Sequence, residues 1–249
     1  MTNSILLVVL TICSYLFGNI NWALIISKSK KTDIRTIGSG NPGTLNMSRT
    51  FGLKTGLLTF FLDVLKGAIP TLIAFFVFNG KVFSNSSFLI SDFAIYLCGL
   101  FVVLGHIYPV FLKFKGGKGI ASTIGVLIVC ESVHGFNWAM IMIMALVCAV
   151  MFIYFTEFGA MGSFIAITPP AISGGIRLFL TYHELTNGAT PIFYIITAML
   201  IFFICFFTWF AHRKNIQRML SGEEHPTSIK SMVVKARLKK QEERKNSKI

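Results

Sequence analysis

Residues 90–119 read ISDFAIYLCGLFVVLGHIYPVFLKFKGGKG: an apolar run from Ile90 to Leu112 that ends in Lys113, Lys115 and Lys118, with Gly116, Gly117 and Gly119 set between and after the lysines. A bilayer core about 30 Å thick needs about 20 apolar residues per helix. The run has that length, and the lysines that close it suit a membrane surface. The same pattern recurs along the chain. Of its 249 residues 54% are hydrophobic and 13% charged, and the mean hydropathy is +0.70. A soluble globular chain is closer to 25% charged. The expected fold is therefore all-α, a polytopic integral membrane protein, with spans at 4–27, 55–79, 90–112, 120–133, 138–155, 161–181 and 191–211. The fourth is short for a crossing. Residues 1–225 form the membrane domain and 226–249 a basic tail.

Counting lysines and arginines tests the seven-span reading, because a wrong span count scatters them over both faces. Segment 28–54 holds Lys28, Lys30, Lys31, Arg35, Arg49 and Lys54, segment 113–119 holds three, and the chain from His212 onward holds eleven. All fall on one face. The other face receives Lys81, while Lys66 and Arg177 lie inside spans. This bias predicts an external amino terminus and a cytoplasmic carboxyl terminus. The net charge of +13 is thus a property of inter-helix segments and tail, which favours anionic lipid or a small anionic substrate over nucleic acid. Cys13, Cys98, Cys130, Cys148 and Cys205 all sit in apolar stretches without metal-ligand spacing, so no metal or cofactor is expected. Pro169 and Pro170 predict a kink in the sixth span.

Four polar islands interrupt the apolar background, all on the predicted cytoplasmic face. The first, Gly38-Ser39-Gly40-Asn41-Pro42-Gly43-Thr44-Leu45-Asn46-Met47-Ser48-Arg49, has closely spaced glycines that admit a ligand to the backbone amides, neutral donors, and an arginine fork suited to phosphate. Taken alone it reads equally well as a turn and helix cap. The second, Gly105-His106 through Gly116-Gly117-Lys118-Gly119, puts exposed amides and one ammonium at a helix start, a phosphate-suited arrangement without Walker spacing. The third, Thr156–Ser163, is a tight turn that signals little by itself. The fourth, His212-Arg213-Lys214-Asn215, places His212 and Asn215 three apart, on one face of a continuing helix. Within the second span Asp63 and Lys66 stand at i, i+3 and read as an internal ion pair that orients helices.

On these motifs the chain resembles the bacterial acyl-phosphate-dependent glycerol-3-phosphate acyltransferases (PlsY). The likeness runs through Gly38–Asn41 with Asn46 and Arg49, Asp63–Gly67, Gly105–Gly119, and His212–Ile216 with Arg218, Leu220 and Gly222. It implies seven helices in the bacterial cell membrane with a cytoplasm-facing active site. It also implies acyl phosphate and glycerol 3-phosphate as substrates, lysophosphatidic acid as product and no cofactor. The resemblance makes Arg49, Lys118, His212 and Asn215 candidate catalytic residues. Ser39, Asn41, Gly43, Asn46, His106, Gly116 and Gly117 become candidate substrate-binding residues. Family members commonly have Gly-Ala-Thr-Asn where this chain has Gly43-Thr44-Leu45-Asn46, and a basic residue and then a serine where Glu157 and Ala160 stand; the tail is also longer than usual. These departures leave room for a relative that binds phosphate-bearing lipid precursors without the reaction. A small-anion transporter is the reading from another class; it would spread polar residues through the midplane and both faces, and here they gather on one.

Overall fold

The structure, a computed structural model, describes residues 2–84, 86–185, 192–223, 227 and 234. Apart from Thr227 and Val234, the predicted tail lies outside the described residues. Ten α-helices are described: α1 (Thr2–Gly18), α2 (Trp22–Ser29), α3 (Thr44–Phe51), α4 (Leu53–Phe78), α5 (Ile90–Ile107), α6 (Ile120–Ser132), α7 (Phe136–Thr156), α8 (Gly159–Leu185), α9 (Ile192–Ala211) and α10 (Arg213–Leu220). Among the described residues six stretches are long and apolar enough to cross a membrane: Thr2–Ser29, Leu53–Phe78, Ile90–Leu112, Phe136–Thr156, Gly159–His183 and Ile192–Ala211. The fourth expected span is α6, whose 13 residues rise only about 20 Å.

The molecule turns large apolar side chains outward, among them Ile5, Val8 and Ile12 of α1, Met144, Val147 and Phe155 of α7, and Phe202 and Phe206 of α9. Water would not tolerate this surface; lipid tails do, which makes the chain a multi-pass membrane protein. Inside, α4 and α5 form the centre, with α6 packed on both, α1 outside α5, and α7, α8 and α9 closing the far side. Two crossings depend on glycine. A Cβ on Gly67 of α4 would lie 2.0 Å from the Ser122 carbonyl oxygen of α6, and one on Gly105 of α5 would lie 2.2 Å from that of Tyr15 in α1. Small residues let helix backbones approach closely where burial of apolar surface no longer drives association.

One element differs from the expected spans. The first span is broken: α1 stops at Gly18 and α2 starts at Trp22, because Asn19 and Asn21 turn their side chains on the backbone. Asn19 Nδ2 donates to the Tyr15 carbonyl (2.6 Å), and Asn21 Oδ1 accepts from the Leu24 amide (3.0 Å) as an N-cap. The carbonyl of Ile20 is thereby released. Pro169 and Pro170 lie inside the single helix α8. The five cysteines are free. Among the described residues no group of His, Cys, Asp and Glu could hold a metal ion.

Candidate active site

The helices are arranged so that α1, α5, α7 and α9 end, and α4, α6 and α8 begin, at one end of the bundle, where a cavity of about 280 Å³ opens. Its polar half comes from all four islands. Ser39, Asn41, Gly43, Asn46, Arg49, His106, Lys118, His212 and Asn215 line it, separated in sequence by up to 176 residues between Ser39 and Asn215. Gly116 and Gly117 do not line it. They fold back on His106: the Gly117 amide donates to the His106 carbonyl and the Gly116 amide to that of Ile107, both at 3.1 Å. Their contribution is to the turn that presents Lys118.

The first island is a loop braced from within. Asn46, in the first turn of α3, donates from Nδ2 to the carbonyls of Ile34 (3.2 Å) and Ile37 (2.9 Å) and accepts the Ser39 amide at Oδ1 (3.2 Å). Its carboxamide hydrogens are therefore engaged inside the loop, and what it offers the cavity is the placement of Ser39. Gly38 needs its left-handed φ of 60°, and a Cβ there would strike Asn46 Oδ1 at 2.3 Å. Gly43 begins α3 without a capping side chain, so the first-turn amides of α3 lie uncapped where Gly43, Thr44 and Leu45 meet the cavity.

Cations surround this polar half. Arg49 and Arg218 line it, and Lys118 Nζ donates to Asn215 Oδ1, joining the second island to the fourth. His212 is 4% exposed, and its Nδ1 lies 2.9 Å from the Thr208 carbonyl. A carbonyl only accepts, so Nδ1 carries the hydrogen and Nε2 keeps its lone pair. Burial, and next the nearby Lys118 charge, pull this imidazole down to about 4, against the opposing pull of the Thr208 carbonyl. His212 is thus neutral at physiological pH, with an acceptor nitrogen and no charge.

The other half of the cavity is apolar, built by Ile120 and Ile124 of α6, Leu146, Val150 and Ile153 of α7 and Ala166 of α8. Val150 lines the cavity and is also 57% exposed on the outside of the bundle. Asp63, Ser163 and Thr227 line the cavity without being among the candidate site residues. Asp63 reads from the sequence as a helix-orienting acid and as part of the Asp63–Gly67 run of the resemblance. Ser163 lay in the island that signalled little. Thr227, from the tail, is 3% exposed; its amide donates to the Glu157 carbonyl (2.7 Å) and its hydroxyl accepts from Arg49 Nη2 (3.3 Å). Asp63 had a legible signal, an acid inside a span, whereas Thr227 had none. Of the three departures, Leu45 lines the cavity, while Glu157 and Ala160 do not; Glu157 instead closes α7 in a left-handed turn.

Comparison with known proteins identifies the family. Residues 8–222 match the glycerol-3-phosphate acyltransferase family. The glycerol-3-phosphate acyltransferase of Aquifex aeolicus is 38% identical over 217 residues, 87% of this chain and 96% of that one, and that of Mycoplasmopsis pulmonis is 34% identical over 222 residues, 88% and 93%. Crystal structures of PlsY (YgiH), an integral membrane glycerol 3-phosphate acyltransferase, are similar in fold. The glycerol 3-phosphate form has TM-score 0.68 at 33% identity and the lysophosphatidic acid form 0.66 at 32%, each covering 88% of this chain and 94% of that one. The cavity joins an apolar half to a half lined by Arg49, Lys118 and Arg218, and by sequence and fold this chain belongs to the glycerol-3-phosphate acyltransferase family.

Proposed function

We propose that the protein transfers an acyl chain from acyl phosphate to the 1-hydroxyl of glycerol 3-phosphate, releasing inorganic phosphate and lysophosphatidic acid. The observation that carries this reading is the division of one cavity into a cationic half, with Arg49, Lys118 and Arg218, and an apolar half between α6, α7 and α8. Both substrates bear a phosphate and one bears a hydrocarbon chain, so each half has an occupant. Burial of the chain contributes about 0.8 kcal/mol per CH₂.

The hydroxyl oxygen attacks the acyl carbonyl carbon, the bond from that carbon to the phosphate oxygen breaks, and phosphate departs with the bonding electrons. The donor is a mixed anhydride with a good leaving group, so orientation and charge neutralisation suffice without a covalent enzyme intermediate. Lys118 and Arg49 neutralise the departing phosphate. Asn215 holds the Lys118 ammonium in place, and the bare Nε2 of His212 accepts the hydroxyl proton. Ser39, Asn41 and the amides from Gly43 onward hold phosphate oxygens. We read α6 as the seventh membrane passage and the cavity as facing the cytoplasm, as the lysine and arginine bias supports.

Purified protein in lipid is expected to form lysophosphatidic acid from glycerol 3-phosphate with acyl phosphate but not with acyl-CoA. Lys118→Ala should lower kcat/KM on the order of 100-fold to 1,000-fold, the range for loss of one charge-stabilising donor. Equal turnover with acyl-CoA would refute the donor assignment, and wild-type kinetics in Lys118→Ala would refute the role of the lysine.

A further inference from the structure

The Asp63–Lys66 pair lies within one helix, i to i+3, at 3.0 Å and about 1–3% exposed. A pair confined to one helix joins nothing by itself; what it does depends on its other contacts. Lys66 Nζ donates to the Ile20 carbonyl (2.6 Å), the one released by the break between α1 and α2, and lies 2.8 Å from His106 Nδ1. Three acceptors thus surround a group with three hydrogens. An ammonium can only donate, so Nδ1 of His106 must be the bare nitrogen and Nε2 must carry the hydrogen. Ser122 Oγ, 3.3 Å from the same Nδ1, can donate there as well. A neutral amine would instead leave the Asp63 carboxylate buried without a counter-charge inside a span.

The protonated side of the ring faces the second island. A Cβ on Gly117 would lie 2.3 Å from Nε2, so the turn closes flat against the ring edge, and the backbone of the same histidine receives the Gly117 amide. Lys118 follows immediately.

We propose that Asp63 and Lys66 are positioning residues that fix His106 as its Nε2–H tautomer. The ring then donates a hydrogen bond to a phosphoryl oxygen in the cavity and sets the Gly116-Gly117 turn that presents Lys118. The two site histidines are therefore complementary: His106 donates from Nε2 and His212 accepts there. This rests on the acyl-transfer reading of the cavity, but the tautomer is measurable without turnover.

Histidine-selective ¹⁵N NMR of the full chain in micelles, with the His106 signals assigned by their loss in His106→Asn, should show Nε2 protonated and Nδ1 bare. Titrated inorganic phosphate should shift the Nε2–H signal. A ring protonated at Nδ1 in the wild-type protein overturns the proposal, whatever the enzyme turns over. Asp63→Asn/Lys66→Met removes both charges and avoids an orphaned one. It should unfold near the wild-type temperature, show His106 in mixed tautomers, and lose on the order of 100-fold in kcat/KM for glycerol 3-phosphate, the scale of a misplaced reacting group. Wild-type kinetics in that double variant, or a retained single tautomer, also overturn it. Absence of acyl transfer by wild-type protein whose His106 is in the Nε2–H form would refute the reaction and leave the positioning intact.

Discussion

Among the described residues the bundle contains two buried acid–base groups, one at each end, and they are built differently. At the cavity end Asp63 and Lys66 share α4 and pass hydrogen bonds outward, to His106 of α5 and the Ile20 carbonyl. At the far end Asp92 of α5 is itself the hub. It accepts the Tyr182 hydroxyl of α8 (2.7 Å) and pairs with His134 before α7 (3.2 Å) and Arg177 of α8 (3.6 Å). Beside it Ser173 of α8 donates to Glu131 of α6 (2.8 Å). The far group staples three segments, with Asp92 1% and Arg177 4% exposed. The near group borders a cavity that can take a ligand. Ionisable side chains inside a membrane domain are therefore not one class: where the partners come from decides whether a pair holds helices together or orients a working group.

The comparison is most sharply tested at Arg177. Arg177→Met leaves Asp92 buried without its guanidinium and should cost about 3–5 kcal/mol, measured by thermal unfolding in micelles, with turnover per folded molecule unchanged. Asp92→Leu/Arg177→Met should recover most of that loss, since a neutral apolar replacement of a buried pair is often tolerated. Next in size is the double replacement of Asp63 and Lys66, which should do the reverse, sparing stability and depressing kcat/KM. Gly125→Ala sits between the two groups. Its methyl would meet the Val64 carbonyl oxygen of α4 at 2.0 Å, so it should cost about 1–3 kcal/mol by overpacking. Because α6 starts at Ile120, two residues after Lys118, it should lower stability and turnover together. The smallest effect is in pH. His212, held at about 4, stays neutral well below the ordinary histidine value near 6.5. The profile of kcat/KM should thus show no His212 inflection between pH 8 and 5 and should decline as pH falls through about 4, where its acceptor nitrogen becomes protonated.

Most of the spans were legible because a run of apolar residues has only one stable form in lipid, a helix with its backbone bonded internally. The break at Asn19–Asn21 was not, since two asparagines inside an apolar run lower hydropathy too little to register, and the cause is local side-chain competition for the backbone. The polar islands were legible as a set, because glycine, asparagine and lysine at helix ends have a shared chemistry. Which of them meet ligand was less so. Asn46 reads as a donor yet is engaged with Ile34 and Ile37, and Gly116 and Gly117 shape the turn from behind. The far staple was invisible: Asp92, His134 and Arg177 are separated by 42 and 43 residues, and nothing periodic links them.

Val150 lines the cavity and is also exposed on the flank of the bundle. Val150 therefore stands where the apolar half of the cavity meets exposed surface of the bundle. A single-chain lipid formed there can pass sideways into the leaflet with its tail in oil throughout, while its phosphate stays at the interface. Such a release avoids the cost of wetting the chain, about 0.8 kcal/mol per CH₂, and would make departure of the product a problem of diffusion in two dimensions.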